Sequence, residues 1–492
     1  MLLLIAIILL PLLYIFITKC KYWESRGVPG PKPLPFIGNI GVSIIGRKNV
    51  SEVYADIYHK YKNDPFVGIH RMGQPCLLIR DPEIIKNVLI KDFICFMDND
   101  FSIDTELDPL ISRNTFTMKG EDWKRGRQFI TPNFASGKIK TVFPVAESVS
   151  KHLINYLEKQ GSFPVDAKDA FTKFSCDVVA AYGFGIEGNS FNDPNAKLIN
   201  LARTFAAPES SLQTIKLVLT IFMPNVIKIK VVPKSFDEGV IALTNATLEY
   251  RKKNDIRRND FLDTIAHTPS ITPIEIAAHM ANLIIDGFET TSTVLTFVIY
   301  ELAVNKKCQV KLREEINRVL KKYDGQFSYE AMQDMMYLDA CVSETLRLYP
   351  TLAQLSKVCN QPYTMTSSGN NFNNLSITLE KGTSVIIPLL GLQRDERYFP
   401  SPNKFIPERF LNKTEVNKNV YMPFGSGPRM CIGSRFGSML VKVGIAEMIR
   451  NFEIDLNEKT IHPLQYEPIY FSLYPKGGVW LNCKKIKEAE FQ

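Results

Sequence analysis

The stretch "PFGSGPRMCIG", residues 423–433, places a single cysteine, Cys431, among glycines, a proline and an arginine. No second cysteine stands near it for a disulfide, and no histidine stands near it for a zinc site of spaced Cys and His ligands. An apolar-periodic segment over 434–451 follows at once and predicts a helix that begins directly after the cysteine. The loop therefore presents an isolated thiol at the start of a helix.

The position of this thiol has chemical consequences. Backbone N–H groups at the start of a helix, and the positive end of its dipole, favour the thiolate form of a cysteine. The glycines keep side chains away and allow a flat cofactor to approach the backbone. A thiolate held in a rigid loop is what haem iron needs as an axial cysteine ligand, so Cys431 is the candidate metal ligand.

The pattern Phe424-x-x-Gly427-x-Arg429-x-Cys431-x-Gly433 resembles the haem-binding signature of the cytochrome P-450 haem-thiolate monooxygenases, in detail their microsomal, insect-type branch. The resemblance implies a mainly α fold with small β-sheets, a long central helix over the haem and an N-terminal transmembrane anchor. It also implies haem (iron protoporphyrin with a cysteine thiolate ligand) as the cofactor, with Phe424, Arg429 and Gly433 among the residues that bind it.

Further motifs follow in the family's order. Glu344-x-x-Arg347 is similar to the family's Glu-x-x-Arg, and Arg409 of "PERF" would complete a buried triad with these two residues. The resemblance assigns this triad structural support of the haem loop rather than catalysis. Trp123-x-x-x-Arg127 is similar to the helix whose Trp and Arg face the haem propionates.

The stretch "DGFETTST", residues 286–293, resembles the family's small-Gly-x-acid-Thr motif. By that resemblance Gly287 lets the helix pass close above the haem, Thr290 holds dioxygen and Glu289 relays protons. The alternative is an ordinary helix in which Ser and Thr side chains hydrogen-bond back to the backbone. Asp286 stands where the family usually has Ala. Because a buried, unpaired carboxylate is costly, we expect Asp286 to be protonated, bound to water or paired.

A second departure lies in "RLYPTLAQLSKVC", residues 347–359. Alignment with the family puts Gln354 where many relatives carry a propionate-binding Arg. One haem carboxylate is therefore expected to lose a salt bridge, although Lys357 lies nearby in the sequence.

The substrate-facing positions follow only from family location, and most of them are apolar. Apolar walls favour a hydrophobic substrate, although lone aromatic residues are as often plain core. These candidate positions are Phe101, Leu107, Phe116, Phe288, Thr351, Leu352 and Leu473.

The remaining pattern predicts a helix-dominated chain without alternating βα order. Short apolar runs over 53–88 suggest a small sheet, the pattern over 123–317 is helical, and strand-like alternation returns over 377–388. The segment 274–305 is apolar and periodic but interrupted by charge, which predicts a buried central helix.

Three regions are expected along the chain. Residues 1–18 are almost unbroken apolar and would span ~26 Å as a helix, enough to cross a bilayer core as a transmembrane signal-anchor. Residues 19–35 form a basic, proline-rich linker, and residues 36–492 form the haem-thiolate monooxygenase domain. The basic flank places this domain on the cytosolic face of the endoplasmic reticulum membrane, as a single-pass protein. An apolar stretch over 219–232 is a candidate second contact with membrane lipid.

The composition and the charge of the chain indicate which kinds of partner to expect. The nine cysteines form no close pairs, which indicates reduced, intracellular thiols. The net charge of +8 is modest and no nucleic-acid motif is present, so a nucleic-acid partner is not expected. By family position, the basic residues around the face that would meet an acidic reductase are Lys124, Arg125, Lys138, Arg435 and Lys442.

The sequence thus predicts a monooxygenase that inserts one oxygen atom from O2 into a hydrophobic small molecule such as a xenobiotic, a steroid-like compound or a lipid. Electrons are expected from NADPH through a separate flavoprotein reductase, because the 492 residues contain no nucleotide or flavin fingerprint. A small haem electron carrier is another candidate partner. One alternative is a reductase-independent haem-thiolate isomerase or dehydratase, against which Glu289 and Thr290 argue. The other is a haem-bearing binding protein without turnover, for which Asp286 is the only hint.

Overall fold

The computed structural model of the chain describes residues 18–206, 229–367, 372–412, 416–470 and 472–486. Helices dominate these ranges, as the sequence predicts. The helices of the first half are α1 (Gly41–Ile44), α2 (Val50–Lys60), α3 (Pro82–Lys86), α4 (Gly120–Ile130), α5 (Ser136–Gln160), α6 (Ala167–Val179) and α7 (Lys197–Ala206). Those of the second half are α8 (Lys234–Lys253), α9 (Phe261–Ala266), α10 (Pro273–Val304), α11 (Lys306–Lys322), α12 (Tyr329–Asp334), α13 (Met336–Leu348), α14 (Leu389–Leu392) and α15 (Ser434–Asn451).

Strands within the described ranges form small sheets. One sheet has the order β1 (Phe66–Arg71), β2 (Gln74–Ile79), β7 (Ser384–Ile387), β4 (Leu355–Val358), in which β2 and β7 run parallel. A second has the order β3 (Val165–Asp166), β9 (Trp480–Lys485), β8 (Phe452–Leu456), and β5 (Tyr363–Thr366) pairs antiparallel with β6 (Ser376–Leu379). The strands predicted over 377–388 are thereby confirmed.

The helix α10 is the predicted buried central helix and has 32 residues. It begins with a capping box, in which Thr272 accepts from the N–H of Glu275 and Glu275 accepts from the N–H of Thr272. Of the helices described, it is the one long and apolar enough to cross a membrane, but 78% of its apolar window is buried. That burial is typical of a core helix.

The segment before the first sheet does not behave as a free linker. Trp23 is 3% exposed and donates from its indole N–H to the carbonyl of Ile69 on β1, at 2.9 Å. Gly68 lies so close to this indole that a Cβ there would stand 2.3 Å from a ring carbon. The folded part therefore begins before Phe36, which is 63% exposed, and the boundary predicted at residue 36 is too late. The predicted transmembrane segment falls on residues 1–17, outside the described ranges, apart from its last residue.

The sheet suggested over 53–88 is only partly right. Residues Val50–Lys60 form a helix, because Asn49 and Glu52 make a capping box at its start. One face of this helix is buried, so the apolar residues that looked like strand positions belong to a helical stripe. The strands β1 and β2 then occupy 66–79, as expected.

Candidate active site

The loop Pro423–Gly433, called the cysteine loop below, is closed by a backbone hydrogen bond. The N–H of Cys431 donates to the carbonyl of Phe424 at 2.8 Å. Gly425 and Gly427 have φ angles of +73° and +74°, which favour glycine. A Cβ on Gly427 would lie 2.0 Å from the carbonyl oxygen of Leu89, so no other residue fits there without movement of the backbone.

The helix α15 begins at Ser434, as predicted, and its first N–H groups lie beside the thiol. The N–H of Gly433 lowers the pKa of Cys431, as does the charge of Arg127, but burial outweighs both and raises that pKa to about 11. The effect of burial on this pKa is thus larger than the effect of the helix start. A coordinated metal ion would deprotonate the thiol outright.

Two arginines join the cysteine loop to α4 and the residues before it, Arg127 from the helix and Arg429 from the loop itself. Arg127 donates from Nη2 to the carbonyl of Met430 at 2.7 Å. The guanidinium of Arg429 lies 4.4 Å from the ring centroid of Trp123, and it donates to the carbonyl of Met118 at 2.8 Å. The sequence motif Trp123-x-x-x-Arg127 and the cysteine loop are thus in direct contact.

Beside this contact lie two buried cations. The Nε of Arg429 is buried and has no hydrogen-bond partner among the described residues. Lys357 on β4 is 4% exposed, and burial together with the charge of Arg429 lowers the pKa of Lys357 to about 7. Asp98, 3.3 Å from Arg429, offsets part of this charge. The N–H of Arg429 Nε and the buried ammonium of Lys357 could both bind carboxylates of a bound group. Haem, with its propionates, is such a group.

Gln354 does not take part in this cluster. It accepts a hydrogen bond from Ser51 Oγ on α2 at 2.6 Å, whereas Lys357, three residues further on, lies beside Arg429. Lys357, and not Gln354, therefore brings a second cation to this cluster. A lone lysine in the apolar strand "LSKV" was the sequence signal for it.

The Glu344, Arg347 and Arg409 triad is present, with Glu344 and Arg347 buried and Arg409 partly exposed. Glu344 and Arg347 are both 0% exposed, and Arg347 donates to the Glu344 carboxylate from Nε at 2.7 Å and from Nη2 at 2.8 Å. Arg409 Nε lies 3.3 Å from the same carboxylate, which also accepts from the N–H of Ile406 at 2.9 Å. Arg347 in turn donates to the carbonyls of Gln393, Pro402 and Lys404. The triad thus fixes the chain that leads into the cysteine loop.

On the central helix, Asp286 and Thr290 share one face because they are four residues apart. They are the two exposed residues between Ile276 and Ala303. Cys431 is also exposed to solvent, and the charge of Asp286 acts on its pKa. These three residues therefore border one internal space, called the cleft below. Protein encloses each of them, but solvent still reaches their side chains through the cleft.

Gly287 packs closely against a neighbouring helix. A Cβ on this residue would lie 2.9 Å from Cγ2 of Val179 on α6. The glycine therefore allows close packing of the central helix against α6. The helix is also continuous here, and the Thr290 hydroxyl donates to the carbonyl of Asp286 at 2.8 Å. Its oxygen keeps the ability to accept a hydrogen bond from the cleft.

Glu289 lies in a buried ion pair. Its carboxylate is 3.1 Å from Nζ of Lys168 on α6, and it accepts from the hydroxyl of Tyr470 at 3.2 Å. Lys168 also donates to the hydroxyls of Ser292 and Thr293, at 2.7 and 2.9 Å. Burial lowers the pKa of Lys168, and Glu289 acts in the opposite direction. Sequence reasoning did not find Lys168, because it lies 121 residues from Glu289 and no motif marks it.

The expected substrate positions differ in how accessible their side chains are. The rings of Phe101 and Phe116 lie 5.7 Å apart, both partly exposed, and Leu107 on the same loop is 38% exposed. Phe288 is 1% exposed and lies two residues from Asp286, on the opposite side of the central helix. Phe288 therefore packs in the core and does not line the cleft.

Of the three remaining positions, Thr351 and Leu473 meet through the backbone. The N–H of Leu473 donates to the carbonyl of Thr351 at 3.1 Å, and Leu473 is 0% exposed. Thr351 is 8% exposed, and its hydroxyl has no hydrogen-bond partner among the described residues, while Leu352 is partly exposed. Leu352 is thus the more accessible side chain of these three.

The loop that carries Phe101 and Phe116 is attached to the segment that precedes α8. Asp108 is 0% exposed and accepts from the N–H groups of Val231 and Val232 at 2.7 and 2.9 Å. Lys230 lies 3.2 Å from the same carboxylate. Lys230 therefore serves an internal contact, which argues against a membrane role for that lysine; residues 219–228 of the predicted membrane contact lie outside the described ranges.

The basic residues expected at the docking face differ in accessibility. Lys124, Arg125 and Arg435 are exposed. Lys442 is less accessible, because its side chain is only 11% exposed and lies 2.5 Å from Asp339 in an ion pair. Lys138 is partly buried and donates to Asn259 at 2.7 Å.

Comparison with known proteins agrees with this geometry. The family model described as "Cytochrome P450" matches residues 28–481. The chain is 37% identical to cytochrome P450 6j1 of Blattella germanica over 488 residues, covering 96% of this chain and 95% of that protein. It is 34% identical to cytochrome P450 6k1 of the same organism (96% and 94% covered) and 34% identical to probable cytochrome P450 6a20 of Drosophila melanogaster (95% of each). The matched region includes the cysteine loop, the triad and the central helix.

Proposed function

Because this chain belongs to the cytochrome P450 family and is a haem-dependent monooxygenase similar to insect members, we propose that Cys431 is the iron ligand and that the substrate is a hydrophobic small molecule. The observation that carries this proposal is the cysteine loop, which places one thiol at a helix start, two residues from Arg429, whose charge acts on the buried Lys357. Xenobiotics, steroid-like compounds and lipids are the substrate classes we consider.

When bound, haem supplies the iron at which dioxygen is activated. The chain's own residues hold and orient it. Arg429 offers an Nε donor that lacks a partner among the described residues, and Lys357 offers a buried ammonium, to the haem carboxylates. The N–H of Gly433 stabilises negative charge on the Cys431 sulfur, and Arg127 adds to that effect while it fixes the carbonyl of Met430.

Proton delivery falls to the face of the central helix that borders the cleft. Thr290 keeps acceptor capacity on its hydroxyl oxygen and can receive a hydrogen bond from water or substrate there. Glu289 is held by Lys168 and Tyr470, so it can pass a proton towards Thr290 only when it leaves that ion pair. We therefore expect Glu289 to act as the slower member of the relay.

The electron source that we propose is NADPH through a separate flavoprotein reductase, with a small haem electron carrier as a second donor. The exposed cations Lys124, Arg125 and Arg435 support an electrostatic contact with an acidic partner. We place the protein in the endoplasmic reticulum membrane, anchored by residues 1–18, with the enzyme domain on the cytosolic face. The apolar composition of those residues supports this location.

Reconstitution of the haem-loaded protein with reductase, NADPH and a panel of apolar compounds tests the proposal. We expect NADPH consumption that depends on a substrate, with one oxygen atom from labelled O2 in the product. Rearrangement of organic peroxides without reductase would instead establish an isomerase or dehydratase. Ligand binding without any turnover across the panel would establish a binding protein.

A further inference from the structure

The middle of the central helix carries a carboxylate that the family motif does not call for. Asp286 is exposed to the cleft although the helix around it is buried. Burial by the surrounding protein raises the pKa of Asp286 to about 6, so the side chain is mainly ionised at pH 7.5. It lies one helical turn from Thr290, about 6 Å along the helix axis, on the same face.

The immediate partner of Asp286 is neutral. Asn114 donates from Nδ2 to Asp286 Oδ2 at 3.0 Å, and its own Oδ1 accepts from the N–H of Phe116 at 2.7 Å. The second contact fixes the orientation of the amide, so its NH2 group must face the carboxylate. Asn114 is 3% exposed, which keeps this arrangement away from bulk solvent.

No positive charge offsets the carboxylate within the described ranges. No lysine, arginine or histidine of those ranges forms an ion pair with Asp286, and burial and Asn114 are the influences on its pKa. An amide donor stabilises a carboxylate but leaves its charge in place. A buried carboxylate without a cation is costly, and a cationic ligand in the cleft would remove that cost.

The neighbouring surface is aromatic. Phe116 follows Asn114 by two residues, and its ring lies 5.7 Å from that of Phe101. Aromatic faces attract cations within about 6 Å and also bury apolar groups. A carboxylate connected through Asn114 to the segment that carries such rings suits a ligand that is positively charged at one end and apolar along its body.

We propose that Asp286 is an anionic subsite of the cleft and that it selects substrates with a positively charged nitrogen on an apolar body. This inference rests on the proposed function, because it takes the cleft to be the place of oxidation. Asn114 is a positioning residue that holds the carboxylate towards the cleft. A neutral molecule of the same shape leaves the Asp286 charge without a partner and binds more weakly.

The test uses two ligands that differ only in charge. One is 4-phenylbutyltrimethylammonium, and the other is its neutral carbon isostere, with a tert-butyl group in place of the trimethylammonium group. A quaternary nitrogen has no lone pair, so it cannot bind iron and imitate a contact with Asp286. Dissociation constants are measured by equilibrium dialysis on the haem-loaded protein, which needs no turnover.

We expect the unmodified protein to bind the cation at least tenfold more tightly than the isostere. Asp286→Asn keeps the shape of the side chain and should abolish this preference while it leaves affinity for the isostere equal or higher. Glu106→Gln, on the exposed part of the same loop, removes an equal charge outside the cleft and should keep the preference. Equal binding of the two ligands by the unmodified protein, or a preference retained in Asp286→Asn, would overturn the proposal.

Failure of this inference can be told from failure of the proposed function. A haem-loaded protein that lacks the carbon monoxide band of reduced haem-thiolate proteins contradicts the assignment of Cys431, whatever the ligands do. A protein that shows the band but does not distinguish the two ligands contradicts only the role of Asp286. The comparison on the unmodified protein also decides the matter if Asp286→Asn does not fold.

Discussion

Replacement of Glu344 by Gln should remove more stability than any exposed ion pair can provide. The carboxylate accepts from Arg347 at 2.7 and 2.8 Å, from Arg409 at 3.3 Å and from the N–H of Ile406 at 2.9 Å. An amide at this position would turn an NH2 group towards donors and leave the Arg347 guanidinium, 0% exposed, without a counter-charge. Removal of one partner from a buried ion pair costs about 3–5 kcal/mol, so we expect a loss of that size.

The matched control is Glu408→Gln, in the turn that carries Arg409. Glu408 lies 2.6 Å from Lys311, but the side chains of both residues are nearly half exposed. Exposed pairs of this kind contribute about 0–1 kcal/mol. The two variants thus lose the same formal charge from sites that differ in burial.

Urea unfolding of the two haem-loaded variants, followed by far-UV circular dichroism, measures the difference. The haem content of each purified variant gives a second readout, because the triad fixes the chain that leads into the cysteine loop. We expect Glu344→Gln to lower both the urea concentration at the unfolding midpoint and the haem content. Glu408→Gln should change neither by much. If Glu344→Gln were no more destabilising than its control, the triad would not be the support that its geometry indicates.

Three further outcomes can be checked on the haem-loaded protein. Cys431→Ala should abolish the carbon monoxide band of the reduced protein, and a variant that keeps the band would refute the ligand assignment. Thr290→Ala should keep haem but divert reducing equivalents to peroxide, so an unchanged ratio of product to NADPH consumed would contradict the relay. Reversal of Lys124, Arg125 and Arg435 to Glu should slow reductase-driven turnover several-fold, more at low salt, and spare peroxide-driven turnover. Equal loss by both routes would indicate damage to the haem site, and no loss would place the docking face elsewhere.

Local patterns and motifs predicted the parts of the molecule that depend on neighbours in sequence. The start of α15 at Ser434 and the central helix, predicted over 274–305 and observed over 273–304, follow from apolar periodicity. The contact of Glu344 with Arg347 follows from their spacing of three residues on one helix. These features needed no knowledge of the tertiary fold.

Features that depend on distant partners could not be read in this way. The orientation of Gln354 is set by Ser51, and the environment of Glu289 is set by Lys168 and Tyr470, far apart in the chain. The packing of Gly287 also depends on another helix, because its missing side chain makes room for Val179 on α6. Such contacts are decided by packing, which no local pattern records.

The attachment of Asp108 bears on how this protein can diverge over generations. Its carboxylate recognises the N–H groups of Val231 and Val232, which every amino acid except proline supplies. The partly exposed residue 231 can therefore be replaced without loss of the hydrogen bond, whereas proline there would remove a donor. A lineage can thus alter the surface beside the loop that carries Phe101 and Phe116 while the scaffold remains inherited unchanged.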